Sequence, residues 1–497
     1  MSKFTGKLKL MLLIAAVLTF ICAGTVLADD FKAEVIANGD TIGYDSFETA
    51  WAMACKIAKG GDEVTFKLLS DWNGYGDMGS GDGFDYGRLY VSTSGAMIID
   101  LNGHTLSRNL RSIKDHGAVI VVGDKCKLTI KDSDPDSYNY SSAIAGGVIT
   151  GGWSDNCAGL IEVYGGELIM TGGSLVNGVS NEEGGAIRAK DVSNTTISLT
   201  NVRFVGNSTQ NSKLNCHGGA IYFKATEGSA LILNNCSFED NYSEDNGGAI
   251  YLDGYVSLTA NDTSFTGNSC QDHGGAVYSD ALRSALYKNC TFYNNHADDD
   301  GGAVYTNKDG TTEFYDTEMI YNSAGDEGGA WYINAWKTFM YDVRIEYNTS
   351  VGKGGGVYVD SYYDTNLQGL MIIRNNTSNK EARTSNLFLQ TGLGDSTQAR
   401  FGNGGCEPGS EVHYGTDNNG ASRVCDSMTE YQLQYFHTDE KSQELAYTTT
   451  SNEAYSVASI FADGTLWIII AGGVLICAAI ALAVFFGLKR RKQQDEK

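Results

Sequence analysis

The sequence predicts an all-β chain: a right-handed parallel β-helix solenoid with an N-terminal capping helix, plus one C-terminal transmembrane helix. Three observations predict it: a pattern repeated at a near-constant period, turns built almost without proline, and a single long apolar run near the end. In the pattern, an apolar residue, two spacers and Asn are followed six residues on by Gly-Gly-Ala and a β-branched residue. Phe238 and Asn241 lead to Gly247-Gly248-Ala249-Ile250, Phe265 and Asn268 to Gly274-Gly275-Ala276-Val277, and Phe292 and Asn295 to Gly301-Gly302-Ala303-Val304. The Phe-equivalent positions 175, 204, 238, 265, 292, 319, 345 and 372 are separated by steps of 29, 34, 27, 27, 27, 26 and 27. A period of this length marks a stack of like units, each burying its face against its neighbours.

Each unit divides into short strands. Leu231–Leu233, Cys236–Phe238 and Ala249–Leu252 read as three strands, and Asn241–Asn246 reads as a polar turn. Helical repeats would need a 3.6-residue apolar period, which is missing. With 61 Gly and only 2 Pro, the turns must rest on Gly, Asn and Asp, which accept positive φ. Ile187, Ile221, Ile250, Val277, Val304 and Val357 are expected to face the core, with Trp331 an outsized member of that column. Asn207, Asn241, Asn268, Asn295, Asn322, Asn348 and Asn375 share one position, where a left-handed conformation and an amide ladder between rungs are expected.

The remaining segments follow. Residues 1–28 read as a signal peptide, with Lys3, Lys7 and Lys9 ahead of an apolar run and Ala28 at the cleavage side. Residues 29–88 hold the N-terminal cap and first coil. In Ser46–Lys59, Phe47, Trp51, Ala54 and Ala58 fall on one helical face behind a Ser46 N-cap. Such a helix would cover the open end of the stack. Residues 89–379 form the β-helix, 380–425 a C-terminal cap and 426–465 a juxtamembrane stalk. Leu466–Leu488 is 23 residues without a charge, enough to span a bilayer, and the basic run Lys489–Lys492 opens a cytoplasmic tail of residues 489–497. The expected topology is a single-pass cell-membrane protein with its N-terminal ectodomain outside.

The formal charge of −24 includes +3 from the leader and +3 from the tail, leaving −30 on residues 29–465. Such a surface repels nucleic acid and attracts cations. Nine cysteines lie outside the leader and the apolar run, an odd number. Cys406 and Cys425 are the best local disulfide candidate. Cys236 and Cys290 lie two coils apart, roughly 9.6 Å at sheet spacing, beyond the reach of a disulfide.

The Phe-x-x-Asn and Gly-Gly-Ala-[Ile/Val] repeats over 175–378 resemble those of chlamydial polymorphic outer membrane proteins and related adhesin-like β-helix proteins. Ser46–Lys59, Gly61–Val64 and Leu101–Leu106 resemble the N-terminal part of such proteins. The resemblance implies adhesion and surface display. It departs at the C-terminal side, where an apolar helix is expected here and the chlamydial proteins have an outer-membrane β-barrel.

Two columns are candidates for function. Asp245, Asp272, Asp299 and Asp326 stand two residues before successive Gly pairs. Carboxylates about 4.8 Å apart repel by about 0.9 kcal/mol per neighbour even in water. The column is therefore either a solvated turn or a site neutralised by a cation such as calcium, with Asp298, Asp300 and Glu327 as further oxygen donors. Tyr222, Tyr251, Tyr278, Tyr305, Tyr332 and Tyr358 stand one residue past the core column, so strand alternation turns them outward. They would either bind sugar rings or partner surfaces, or stiffen the sheet by stacking. His217 and His273 read as polar turn fillers. The expected function is an adhesin-like surface protein holding glycans or proteins of a host or neighbouring cell. The alternatives are a polysaccharide-degrading β-helix enzyme, which needs clustered carboxylates and basic residues in one cleft, and a structural spacer.

Overall fold

Short apolar strands joined by residues that accept positive φ bring the chain back over itself every 26 to 34 residues. In the computed structural model the described residues are 31–74, 81, 83–93, 95–211, 216–360, 364–378, 386–389, 400–402, 406–416 and 436–438. They form a parallel β-solenoid of about 11 turns. The first strand column runs from Val64–Leu68 through Met97–Asp100 and Lys127–Lys131 to Asp364–Gln368. The second includes Ser174–Val176, Ser237–Glu239, Ser264–Thr266 and Thr291–Tyr293. The third includes Ile120–Val122, Ile161–Val163, Val277–Asp280 and Val357–Val359. In several rungs one long strand, such as Ile221–Asn234 or Ile250–Asn261, serves the third column and then the first.

The segment expected to be only a polar turn contains a fourth, narrow ladder. Two-residue strands from Trp153–Ser154 through Tyr242–Ser243 and Ser269–Cys270 to Thr377–Ser378 pair in parallel. Two residues are too few to show an alternation in sequence.

The helix α1 (Phe47–Lys59) forms where expected. The Ser46 hydroxyl accepts a hydrogen bond from the Thr49 amide at 3.3 Å, and Phe47, Ala50, Trp51, Ala54, Cys55 and Ala58 are buried. Phe47 stacks on Trp72 at 4.6 Å and meets Phe66 edge-on at 4.8 Å. Ahead of it, Ala33–Ala37 pairs antiparallel with both Asp40–Tyr44 and Val64–Leu68, so the first strand of the stack has no bare edge.

The core is a set of columns. Phe204, Phe238, Phe265 and Phe292 stack with centroids 4.5 to 4.9 Å apart, and the column Ile187 to Val357, Trp331 included, is fully buried. The Asn ladder is wholly inside. Asn241 Nδ2 donates to Asn268 Oδ1 at 2.9 Å and to the Phe204 carbonyl at 3.1 Å, while the Asn241 amide donates to Asn268 Oδ1 at 3.1 Å. The same set recurs for Asn207, Asn268, Asn295, Asn322 and Asn348. Two expectations need correction. Asn375 is not in the ladder: Ile345 pairs with Ile373 rather than Ile372, which puts Asn376 in the column, continued by Asn386. The left-handed residue is the one before each ladder Asn: Gly206, Asp240, Gly267, Asn294, Tyr321, Tyr347 and Asn375, at φ +53° to +66°. Asn207-Ser208-Thr209 and Asn348-Thr349-Ser350 have the N-glycosylation acceptor pattern, but both Asn side chains are buried in the ladder.

Beyond 379 the described strands extend the stack. Leu387–Leu389 pairs with Val357–Val359, Arg400–Gly402 with Asp364–Gln368, and Phe436–Thr438 with Glu411–Thr416. The expected leader, stalk (apart from 436–438), apolar span and tail lie outside the described residues, among which no helix is long and apolar enough to cross a membrane. Cys406 is a buried free thiol, and Cys425 lies outside the described residues. Cys236 and Cys290 are also free, with the Thr263 rung between them.

Asn268→Ala would strand the Asn241 amide and side chain and the Phe238 carbonyl. At 1–3 kcal/mol per unsatisfied buried group, the expected loss is about 3 kcal/mol or more, read as a lower urea midpoint.

Candidate functional site

The tyrosine column is placed as strand alternation predicts, outward on the third strand column. Parallel register pairs Arg188, Tyr222, Tyr251, Tyr278, Tyr305, Tyr332, Tyr358 and Phe388 in succession. From Tyr222 on, the rings stack with centroids 4.7 to 5.4 Å apart. The stacking alternative is the arrangement seen, and the outward rings are largely covered. Tyr222, Tyr251, Tyr278 and Tyr358 are buried, at 2 to 9 % exposure, and Tyr305 and Tyr332 are half-buried. Burial raises the hydroxyl pKa of all six above the ordinary value.

The glycine pairs explain the cover. The first Gly of each pair adopts φ +64° to +73° and lies so close to the third strand column that a Cβ would sit 2.2 to 2.6 Å from a carbonyl oxygen three residues on. A Cβ on Gly248, Gly275 or Gly302 would sit 2.1 to 2.2 Å from the matching glycine carbonyl of the next rung. Only a turn without side chains folds this tightly, and it carries the preceding residue over the tyrosine of the next rung. His217 stacks on Tyr251 at 4.3 Å, His273 on Tyr305 at 4.5 Å, and Lys353 Nζ lies 4.7 Å from the Phe388 centroid. His217 and His273 are thus lids of the aromatic stack as well as turn residues. Burial pushes His217 down to about 4, so it is neutral near pH 7 despite lying 3.6 Å from Asp245.

The acidic column is in register along the rim of this stack. The Asp272 amide donates to the Asp245 carbonyl, that of Asp299 to Asp272 and that of Asp326 to Asp299, at 2.9 to 3.3 Å. Burial, with the adjoining Asp272 carboxyl, pushes Asp245 up to about 6, and burial pushes Asp300 up to about 7. Two groups converge closely enough to share a cation: Asp272, His273 and Asp299, and Asp299, Asp300 and Asp326, each with donor atoms within 4.8 Å of one another. The second is all oxygen, the donor type calcium takes. The imidazole in the first suits a transition ion better. Asp245 belongs to neither group.

Sequence reasoning missed the charged cluster beneath the aromatic stack. Arg188 occupies the tyrosine position of its rung, 8 % exposed, with Glu183, Glu182 and Glu162 at 3.2, 3.4 and 3.8 Å. Burial holds Glu162 up at about 7. Arg188 sits four after Gly184, the spacing of the tyrosines, and that spacing was the available signal. Above it, a groove of about 290 Å³ joins Glu183, Lys190, Asp191, His217, Lys224 and Asp253. Its basic groups are paired: Lys190 with Glu183 at 2.7 Å and Lys224 with Asp253 at 2.6 Å.

Residues 235–253, 262–280 and 289–307 match the Chlamydia polymorphic membrane protein repeat. Each matched segment begins at a left-handed corner residue (Asn235, Asp262, Asn289), contains the ladder Asn and the Gly pair, and ends two residues past the stacked tyrosine. The chain is therefore a β-solenoid that carries three repeats of the polymorphic membrane protein type. No curated protein and no solved structure matches the chain.

The raised carboxyls fix the sign of a pH effect. A carboxyl that ionises at a higher pH in the folded than in the unfolded state favours folding when protonated, and loses that contribution as pH rises from about 4 through its folded value. The carboxyls' contribution to stability is expected to fall between pH 4.5 and 7.5, offset in part below pH 6.5 by His217, whose lowered value works in the opposite direction. Asp300→Asn should lessen the fall in urea titrations at the two pH values, and millimolar calcium at pH 7.5 should restore part of it.

Proposed function

We propose that the chain is a surface-displayed, non-catalytic adhesin-like protein that holds glycans or proteins of a host or neighbouring cell against the sides of its β-helix. The carrying observation is the coincidence of the three matched repeats with successive rungs. That construction yields a long, rigid lateral surface rather than one enclosed site. A non-catalytic role is supported by the arrangement of the charges. The Asp column runs along the rim of the stack, and in the mixed groove above Arg188 the carboxylates of Glu183 and Asp253 are committed to lysine pairs. In this reading the apolar run 466–488 anchors the chain with the solenoid outside, and Asp299, Asp300 and Asp326 hold a calcium ion that stiffens the acidic rim.

The test uses the full chain in detergent, applied to fixed cells, extracellular matrix and polysaccharides with and without calcium. Saturable adherence without shortening of the polysaccharides is the expected result. Release of shortened glycans without adherence would replace this reading with the enzyme, and neither activity would leave a spacer. Asp300→Asn with Asp326→Asn should abolish any calcium-induced rise in melting temperature.

A further inference from the structure

A cluster of aromatic side chains open to solvent and in ring contact lies elsewhere, at the corner between the second strand column and the narrow ladder. Tyr293, Tyr321 and Tyr347 are 45, 50 and 42 % exposed. Tyr321 and Tyr347 stack at 5.3 Å and 20° between planes, and Tyr293 meets Tyr321 edge-on at 5.7 Å. Tyr321 and Tyr347 occupy the left-handed corner at φ +60°. Other rungs place Asn177, Gly206, Asp240, Gly267, Asn294 or Asn375 there, residues that tolerate this conformation. A bulky residue at positive φ is strained, and such strain persists where something else depends on the side chain. Here the interior gains nothing from it, because both rings point away from the core.

Beside the tyrosines, the outer face of the second column carries charges already paired to one another. Glu346, its side chain 1 % exposed, is held by Arg344 and, at 2.9 Å, by Arg374; Arg374 also meets Glu411 at 2.5 Å, and Arg344 lies 3.6 Å from Glu318. An apolar protein surface laid over this network would strip water from its ion pairs, at a cost that their attraction does not recover. An anionic ligand would find arginines already neutralised within a strongly acidic chain. A neutral pyranose has an apolar C–H face for the tyrosine rings and hydroxyls that replace the water on the paired charges.

We infer that Tyr293, Tyr321 and Tyr347, with the adjoining Arg344–Glu346–Arg374 face, bind a neutral glycan chain laid along the solenoid axis. This deepens the adhesin reading and rests on it only for its biological setting.

The test titrates the full chain in detergent with neutral cello-, xylo-, manno- and chito-hexasaccharides by calorimetry, in the parent and in Tyr321→Gly with Tyr347→Gly. Glycine is unstrained at φ +60°, so the double variant should melt no lower than the parent. Binding of at least one hexasaccharide is expected, weakened at least tenfold in the variant. Tyr321→Asn with Tyr347→Asn, using a residue that Asn294 and Asn375 already place at this corner, should behave alike. Absence of binding by the parent, or undiminished binding in both pairs, overturns the proposal. So does a protein ligand lost on the same substitutions. Cell adherence by the parent that survives both pairs, with no saccharide binding lost on them, would sink this site and leave the adhesin reading standing, whereas a parent that binds saccharide through the tyrosines but never adheres would do the reverse.

Discussion

The buried asparagine ladder is the constraint on which the other columns depend. A parallel coil must turn between its second and third strand columns inside a dry core, where backbone groups find no water. One Asn per rung satisfies a backbone amide and a side-chain amide of the preceding rung, and donates to that rung's Phe-equivalent carbonyl. Because each bond set spans two rungs, the ladder fixes register as well as satisfying polarity. A one-residue slip would bury Asn375 in place of Asn376 and turn Ile373 outward.

Once register is fixed, the other columns follow. Phenylalanines fall on phenylalanines, glycine pairs on glycine pairs, and tyrosines on tyrosines. The interior is repetitive because every rung solves the same packing problem. Variation is left to side chains that point away from the core, and the exposed tyrosine corner arises there, on a backbone that the ladder turn holds at positive φ. The acidic rim is an intermediate case. Its backbone is dictated by the stack, while its carboxyls lie close enough to alter one another's ionisation.

Much of this was legible in the sequence, because period and residue type act together. The coil, the core column Ile187 to Val357, the helix behind Ser46 and six of the seven ladder asparagines could be read directly. The seventh failed because Asn375-Asn376 offers two frames, and only pairing across the rungs chooses between them. The cover over the tyrosines was hidden for a different reason. Alternation gives the direction of a side chain but not what lies above it, and the cover comes from a turn whose tightness shows only when the rungs are stacked. The exposed corner was legible in principle, as tyrosine where neighbouring rungs carry Gly, Asp or Asn, but reading it required knowing that the residue before the ladder Asn, and not the Asn itself, takes positive φ.

The most direct test of the ladder as the organising interaction is hydrogen exchange on the native chain. The amides of Asn207, Asn241, Asn268, Asn295 and Asn322 each donate to a side-chain oxygen one rung away. Protection of these five as strong as that of the strand amides in Ile221–Asn234 and Ile250–Asn261 is the predicted result. Exchange at rates typical of exposed turns would contradict it, and would leave the strand columns alone to hold the register.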